Sequence, residues 1–290
     1  MPSRNSRLRQ LLSRPDFIVA PGCYDPISAR LVEQAGFEAL YVTGGGISRA
    51  NCFPDLGLLT MTEVCAILTR IVDAVSIPVI ADMDTGYGNA INVIRSVREF
   101  ERSGVSAFHL EDQVSPKKCG HYDGKEVISI REMVGKIKAA VDARVDRDLV
   151  IIARSDALAV EGRQAAIDRI NTYLEAGADV GFVDAPRSAE DLAAIAGQVK
   201  GLSMVNMFEG GKTPVLPNAQ LESMGFRIGI YPSQTQRAAV YAMREVLAIL
   251  KKEGDASKME GRLITFNERE QIIDTASWRA REEAYLRPQS

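Results

Sequence analysis

Apolar and polar positions along the chain fall into a repeated two-part pattern: a short β-branched run, then a stretch with apolar residues at helical spacing. Residues 17–20 (Phe-Ile-Val-Ala) precede a helical stretch over about 26–35, closed by Gly36 as a C-cap. Residues 39–43 run into Gly44-Gly45-Gly46, and a helix follows over 60–75, with Thr60 or Thr62 as its cap. Residues 77–82 and 105–111 form the next two strands, each followed by a helix, over 90–103 and 129–143. Ser129 and Glu132 stand at capping-box spacing, and a long loop separates residue 111 from that helix. Strands over 149–154, 180–183, 203–207 and 226–231 complete the series, with helices over 163–176, 189–199, 218–223 and 234–252.

Eight strand–helix alternations without a break predict an α/β fold, a closed (β/α)₈ TIM-type barrel. The strand runs are continuously apolar rather than alternating, as expected when both faces are buried. An open doubly wound sheet is the competing architecture. It calls for a glycine-rich phosphate turn after the first strand, and Pro21-Gly22-Cys23-Tyr24-Asp25 is not one. No linker or shift in composition divides the chain, so residues 1–290 read as one barrel domain. Residues 254–290 read as a polar, partly helical C-terminal extension in which Trp278 and other aromatics pack the tail.

Composition adds exclusions. The chain has 290 residues, 46% hydrophobic and 25% charged, with net charge −3, which gives no electrostatic reason to bind nucleic acid or an anionic membrane. No stretch approaches the ~20 apolar residues of a membrane span. Cys23, Cys52, Cys65 and Cys119 form neither a CxxC pair nor a zinc spacing, so free thiols, a reducing compartment and a cytoplasmic location are expected. The first 15 residues are not a secretory signal, although four arginines among the first 14 leave a transit peptide open. Only His109 and His121 are present, so a metal would be held mainly by carboxylates, which favours a hard cation such as Mg²⁺.

Catalytic groups of a barrel lie at the C-terminal ends of its strands. Here those ends read Tyr24 and Asp25; Tyr41, Thr43 and three glycines; Asp82, Asp84 and Asn89; Glu111 and Asp112; Arg154, Ser155 and Asp156; Asp184; Asn206 and Glu209; Tyr231 and Ser233. So dense an acidic rim calls for a cation. Asp82 and Asp84, two residues apart before Gly86 and Gly88, suit Mg²⁺ with Glu111 as a third acid; the plainer reading is a capping Asp and a turn. Gly44-Gly45-Gly46 offers bare N–H groups to an anion, or is an ordinary flexible loop. Arg154 ends an apolar strand, so it pairs with Asp156 or Asp184, meets an anionic substrate, or does both. His109 reads as a satisfied core or supporting histidine, and Cys23, Cys52 and Cys65 as packing or bystander thiols. In Lys117-Lys118-Cys119-Gly120-His121, a cysteine beside cations suits proton transfer, because nearby positive charge favours its thiolate. That loop is too long and too reactive to be a plain connector.

Six segments together resemble the isocitrate lyase / phosphoenolpyruvate mutase superfamily: 41–46 (YVTGGG), 82–89 (DMDTGYGN), 109–113 (HLEDQ), 117–121 (KKCGH), 153–157 (ARSDA) and 206–214 (NMFEGGKTP). KKCGH is the mark of its carbon–carbon lyase branch. The resemblance implies a Mg²⁺-dependent barrel (Mn²⁺ as a substitute), a mobile loop over the site, and a homotetramer that exchanges its last barrel helix. It implies Asp82, Asp84 and Glu111 as the metal shell and Cys119 as the acid that protonates the carbanion, with Lys117 and His121 on the same moving cover. Tyr41, Thr43, Gly44 and Gly45 would bind the keto-acid end, Arg154 would contact substrate oxygens, and Asp55, Asn206, Glu209 and Ser233 would place the remainder. Tyr41 is the candidate base. The implied reaction is retro-Claisen cleavage of a 2-hydroxy di- or tricarboxylate, of the 2,3-dimethylmalate or 2-methylisocitrate type, to pyruvate or a related keto acid plus a carboxylic acid. Oxaloacetate hydrolysis and P–C bond chemistry on the same fold are the alternatives, and a non-catalytic barrel is the alternative of another class. Three positions depart from the pattern: Asp184 where relatives commonly have Glu, Ser155 where they have Thr, and Ser233-Gln234 where lyases often have Leu-Ser.

Overall fold

Eight short apolar runs become eight parallel strands that close on themselves. The computed structural model describes residues 3–286. The chain runs α1 (Arg4–Ser13), β1 (Ile18–Cys23), α2 (Pro26–Gln34), β2 (Leu40–Val42), α3 (Gly44–Ala50), α4 (Met61–Ala74), β3 (Val79–Asp82) and α5 (Ala90–Arg102). It continues through β4 (Ala107–Glu111), α6 (Ile130–Ala143), β5 (Val150–Ser155), α7 (Arg163–Glu175), β6 (Val180–Val183), α8 (Ala189–Gln198), β7 (Leu202–Asn206), α9 (Asn218–Met224) and β8 (Ile228–Tyr231). Three helices follow: α10 (Gln234–Glu253), α11 (Phe266–Ile272) and α12 (Thr275–Leu286). Each strand pairs in parallel with the next, and β8 pairs with β1, Ile18 against Ile228 through Pro21 against Tyr231. The barrel predicted from the alternation is therefore the observed fold.

Strand geometry sends alternate residues to opposite faces, and the core divides accordingly. Ile80, Ala107, Val150, Ile152, Val180, Phe182 and Met204 fill the barrel interior, while Phe108, Leu110, Ile151, Ala153 and Val205 pack outward on the helices. Helix α1 closes the floor. Its Leu8, Leu11 and Leu12 are buried in the interior cluster, and Arg9 pairs with Asp179 at 2.8 Å. The arginine-rich stretch Arg4–Ser13 is thus a structural part of the barrel.

Several polar rim residues are caps rather than site groups. Asp25 and Asn89 form capping boxes at the starts of α2 and α5, as Thr60 does with Glu63 at α4. The triple glycine is not a loop. It opens α3, with Thr43 as its N-cap, its hydroxyl accepting from the Gly46 N–H.

The chain forms two compact units, residues 1–234 and 235–290. In the second, Met259 is the sole buried side chain among the described residues, and Tyr241, Leu247, Trp278, Tyr285 and Leu286 are exposed. Trp278 is 66% exposed beneath the Arg281 guanidinium, so it does not pack a tail core as expected.

Candidate active site

Strand parity selects the site. Continuing the inward-facing series one step toward the C-terminal ends gives Asp82 after Ile80, His109 and Glu111 after Ala107, Arg154 after Ile152, Asp184 after Phe182 and Asn206 after Met204. Register then places neighbours side by side: Asp82 beside His109, and Glu111 beside Arg154. All are buried. Asp112, one residue out of phase, faces the other way. It accepts from Ser155 Oγ (2.8 Å), Tyr173 Oη (2.9 Å), Arg169 Nη1 (3.3 Å) and the Asp156 N–H (2.9 Å), which makes it an anchor behind the barrel wall rather than a rim acid.

Asp82, His109 and Glu111 each present a ligand atom, all within 4.8 Å of one another. Neither Glu111 oxygen makes a hydrogen bond, although Oε2 lies 3.2 Å from Arg154 Nη1; burial pushes this carboxyl well above its ordinary range. A buried carboxylate without hydrogen-bond donors suits a cation, and a set of two carboxylates and one imidazole suits a hard divalent ion. His109 is no satisfied core residue. Burial holds it neutral, its pKa lowered to about 3, with Nε2 2.8 Å from the Tyr41 hydroxyl and 3.6 Å from Asp82 Oδ1. Its Nδ1 has no partner. Asp84 sits at a positive φ of 48° just beyond Asp82, whose Oδ1 accepts the Asp84 N–H at 2.9 Å. Burial and then Asp82 push Asp84 up to about 6 against the pull of Lys117.

Helix α3 begins against these acids. A Cβ on Gly44 would lie 2.5 Å from Asp82 Oδ2, so glycine is needed there for close approach rather than for flexibility. Tyr41 is fully buried, and burial followed by the Asp82 charge raises its pKa well above 10.0. The phenol is therefore held protonated at rest.

The loop after β4 lies docked on the rim. Its neck is an antiparallel bridge between Gln113 and Val127, and the Gln113 amide pairs with the Lys118 backbone in both directions, at 2.8 and 3.0 Å. Lys117 turns inward from this loop toward the rim acids. It is buried, ion-paired with Asp55 and with Asp84 Oδ1 at 2.8 Å, and those carboxylates hold it charged despite its burial. Asp55 also accepts the Cys119 N–H through its carbonyl at 3.1 Å. His121 packs on Phe208, 4.8 Å between ring centroids, and its Nδ1 accepts the Lys212 N–H at 3.2 Å. Cys119 is half-buried, and desolvation, then the Asp55 charge, raises its thiol above the ordinary thiol value. Neither neighbouring lysine favours the thiolate, because Asp55 and Asp84 neutralise Lys117 and Lys118 donates to the Gly124 carbonyl; the thiol is kept protonated.

Arg154 is held charged, against desolvation, by Asp156, Asp184 and Glu111. It donates to Asp156 through Nε (2.9 Å) and Nη2 (3.2 Å) and to Asp184 at 2.9 Å. Asp184 also takes Asn206 Nδ2 at 3.3 Å, so the shorter acid still serves two site residues. Buried Asn206 Oδ1, His121 Nε2, Thr213 Oγ1 and Ser233 Oγ have no hydrogen-bond partner. Glu209 lies exposed on the loop after β7, outside the buried cluster. Sequence reasoning missed Lys125, whose buried Nζ pairs with Asp156 at 2.7 Å, and read His109 as a core or supporting histidine.

The family model for phosphoenolpyruvate phosphomutase matches residues 8–251. The chain is 47% identical over 264 residues to 2,3-dimethylmalate lyase of Eubacterium barkeri, covering 91% of each chain. It is 46% identical over 261 residues to 2-methylisocitrate lyase of Aeropyrum pernix, covering 90% of this chain and 84% of that one. Among solved structures, oxaloacetate acetylhydrolase in complex with the inhibitor 3,3-difluorooxalacetate superposes with a TM-score of 0.93 at 36% identity over 99% of both chains. Phosphonopyruvate hydrolase in complex with oxalate and Mg²⁺ superposes with a TM-score of 0.91 at 34% identity, over 99% of this chain and 100% of that one. With its barrel, its buried acid cluster and its docked KKCGH loop, the chain belongs to the phosphoenolpyruvate mutase / isocitrate lyase superfamily and is an enzyme of the carbon–carbon lyase kind.

Proposed function

We propose that the protein cleaves a 2-hydroxy di- or tricarboxylate, of the 2,3-dimethylmalate or 2-methylisocitrate type, into pyruvate or a related keto acid and a carboxylic acid. The observation that carries this reading is the Cys119 thiol, kept protonated on a docked loop whose next residue, Gly120, abuts Asp184 and Arg154. A carbon–carbon cleavage leaves a carbanion that needs one proton, and a protonated thiol in a site closed to water supplies it.

Asp82, Asp84 and Glu111, with His109 beside them, would hold Mg²⁺, and Mn²⁺ in its place. When bound, the ion polarises the substrate's hydroxyl and carboxylate oxygens and stabilises negative charge there. The protein's own groups do the rest. Tyr41, protonated and backed by His109 Nε2, orients an oxygen of the hydroxy-acid end; the substrate hydroxyl gives its proton to the phenol oxygen as the phenol passes its own to neutral His109 Nε2. Thr43, Gly44 and Gly45 line the same end. Arg154 keeps a positive charge where the departing enediolate develops negative charge. Asn206, His121, Thr213 and Ser233 bring buried polar atoms without protein partners, which suits a substrate whose far end is itself polar. Lys117 and Asp55 hold the loop down while Cys119 delivers its proton.

The protein works as a homotetramer in which helices are exchanged. A helical unit with one buried side chain among its described residues cannot hold its own fold in water, and its exposed Val240, Tyr241, Met243, Leu247 and Leu250 form a surface for another subunit. No helix among the described residues is long and apolar enough to cross a membrane, and all four cysteines are free, which accords with a cytoplasmic enzyme.

The test is pyruvate release, followed through lactate dehydrogenase and NADH, over 2,3-dimethylmalate, 2-methylisocitrate, isocitrate and oxaloacetate with Mg²⁺. Cleavage of an alkyl-bearing hydroxy acid supports the reading. Oxalate and acetate formed from oxaloacetate, with no pyruvate from any hydroxy acid, overturns it.

A further inference from the structure

A buried cation at the root of the loop has no part in the chemistry above. Lys125 lies two residues before Val127, whose bridge to Gln113 pins the loop's neck. Its side chain is 1% exposed, and its ammonium donates to two oxygens, Asp156 Oδ1 at 2.7 Å and the carbonyl of Gly120. Gly120 follows Cys119 directly. Asp156 belongs to the fixed wall: its N–H donates to Asp112 at 2.9 Å, and its carboxylate takes Nε and Nη2 of Arg154. Burial works against its ionisation, but Arg154 and Lys125 hold it well below the usual carboxylate range.

Of the loop's other contacts, the Cys119 N–H to the Asp55 carbonyl and His121 to the Lys212 N–H join it to neighbouring rim loops, and two more differ in kind. The Gln113–Lys118 pairing is internal to the loop and survives if the loop lifts. The Lys117 ion pairs use Asp84, an acid assigned above to the metal, so they change with metal binding. Lys125 touches no metal-site acid. It joins the residue after the thiol to the carboxylate that orients Arg154, at a site where an unpaired buried ammonium or carboxylate would be costly.

We propose that Lys125 is a positioning residue: fixed on Asp156, it receives the Gly120 carbonyl as the loop docks and so registers Cys119 against Arg154. The role in turnover rests on the reading of Cys119 as proton donor; the role in docking does not. The experiment therefore reads docking without substrate. Cys119 carbamidomethylation by iodoacetamide, resolved from the other cysteines by peptide mass spectrometry, is compared in wild type, Lys125→Met and Lys125→Arg. Lys125→Met should alkylate at Cys119 about tenfold faster or more, and lose kcat on 2,3-dimethylmalate by about 100-fold with KM changed less than about threefold. Lys125→Arg, which keeps charge and donors, should stay within about fivefold of wild type in both. If Lys125→Met does not fold, the Lys125→Arg alkylation rate decides, a wild-type rate supporting the proposal. A wild-type rate in folded Lys125→Met, or Lys125→Arg as loose as Lys125→Met, overturns it. Faster alkylation in Lys125→Met together with full turnover in Cys119→Ser leaves the docking role standing and removes the proton-donor reading instead.

Discussion

Gly120 packs closely against the wall, and replacing it with alanine gives a clean steric test. Its backbone is not in the left-handed region, so alanine is conformationally allowed. The added Cβ, however, would lie 1.6 Å from Asp184 Oδ2 and 2.8 Å from Arg154 Nη2. Ordinary contact begins near 3.4 Å, so the loop must back away from Asp184 by roughly 1.8 Å. Asp184 cannot yield easily, since Arg154 and Asn206 hold it and it is 1% exposed. Cys119 is the next residue and moves with the displacement. A misplacement of about 1 Å at a reacting group can lower a rate by about 10²-fold, so Gly120→Ala should lower kcat by about 100-fold or more. The melting temperature should hold, because the change lies on a docked loop and opens no cavity in the core. The assay is coupled pyruvate release at saturating Mg²⁺, with trypsin cleavage after Lys117, Lys118 or Lys125 reporting loop release. A kcat within about threefold of wild type would refute the claim that turnover needs this closed position.

Two further outcomes follow from the same geometry. Asp84, pushed up to about 6, is ionised at neutral pH and takes up a proton as the pH falls through that value, so proton and metal then compete. Mg²⁺ affinity by calorimetry should be flat from pH 7 to 8 and weaken by about tenfold per unit below pH 6; EDTA should abolish activity and excess Mg²⁺ restore it. A pH-independent affinity would place Asp84 outside the metal shell. Asp112→Ala should destabilise the fold by about 2–4 kcal/mol in urea denaturation, because it leaves the hydroxyls of Ser155 and Tyr173 and the Asp156 N–H without their buried acceptor, while Arg169 keeps Glu161; a loss under about 1 kcal/mol would show that these groups find other partners.

The barrel was legible because its signal is repetition: eight apolar runs, each followed by a capped amphipathic stretch, leave few ways to bury both faces of every strand. The acid cluster was legible for a similar reason, since it lies where each apolar run ends. Reading strands as continuously apolar discards their parity, and parity is what separates Glu111 from Asp112. Two residues back from Glu111 on the same face stands His109, which alternation alone would have placed in the site. Long-range pairing was out of reach. That Lys117 and Cys119 both reach Asp55, about 60 residues earlier, depends on how two rim loops meet, and no local pattern records this. The protonation states of Tyr41 and Cys119 were hidden for the same reason. Their sequence neighbours say little, whereas burial and the acids across the rim set both. The first helix went unread because Leu8, Leu11 and Leu12 are sparse among arginines; only the open floor of a barrel gives those leucines a place to be buried.

The central claim is that the docked thiol supplies the proton to the departing fragment. Cys119→Ser tests it most directly, since the hydroxyl keeps the size of the thiol and lacks its acidity. The measurement is pyruvate release from 2,3-dimethylmalate and 2-methylisocitrate, alongside Mg²⁺ binding by calorimetry and the thermal transition. The account predicts unchanged folding and Mg²⁺ affinity with cleavage lowered by about 10²–10⁴-fold. Turnover near the wild-type rate in a folded, Mg²⁺-binding Cys119→Ser protein would contradict it.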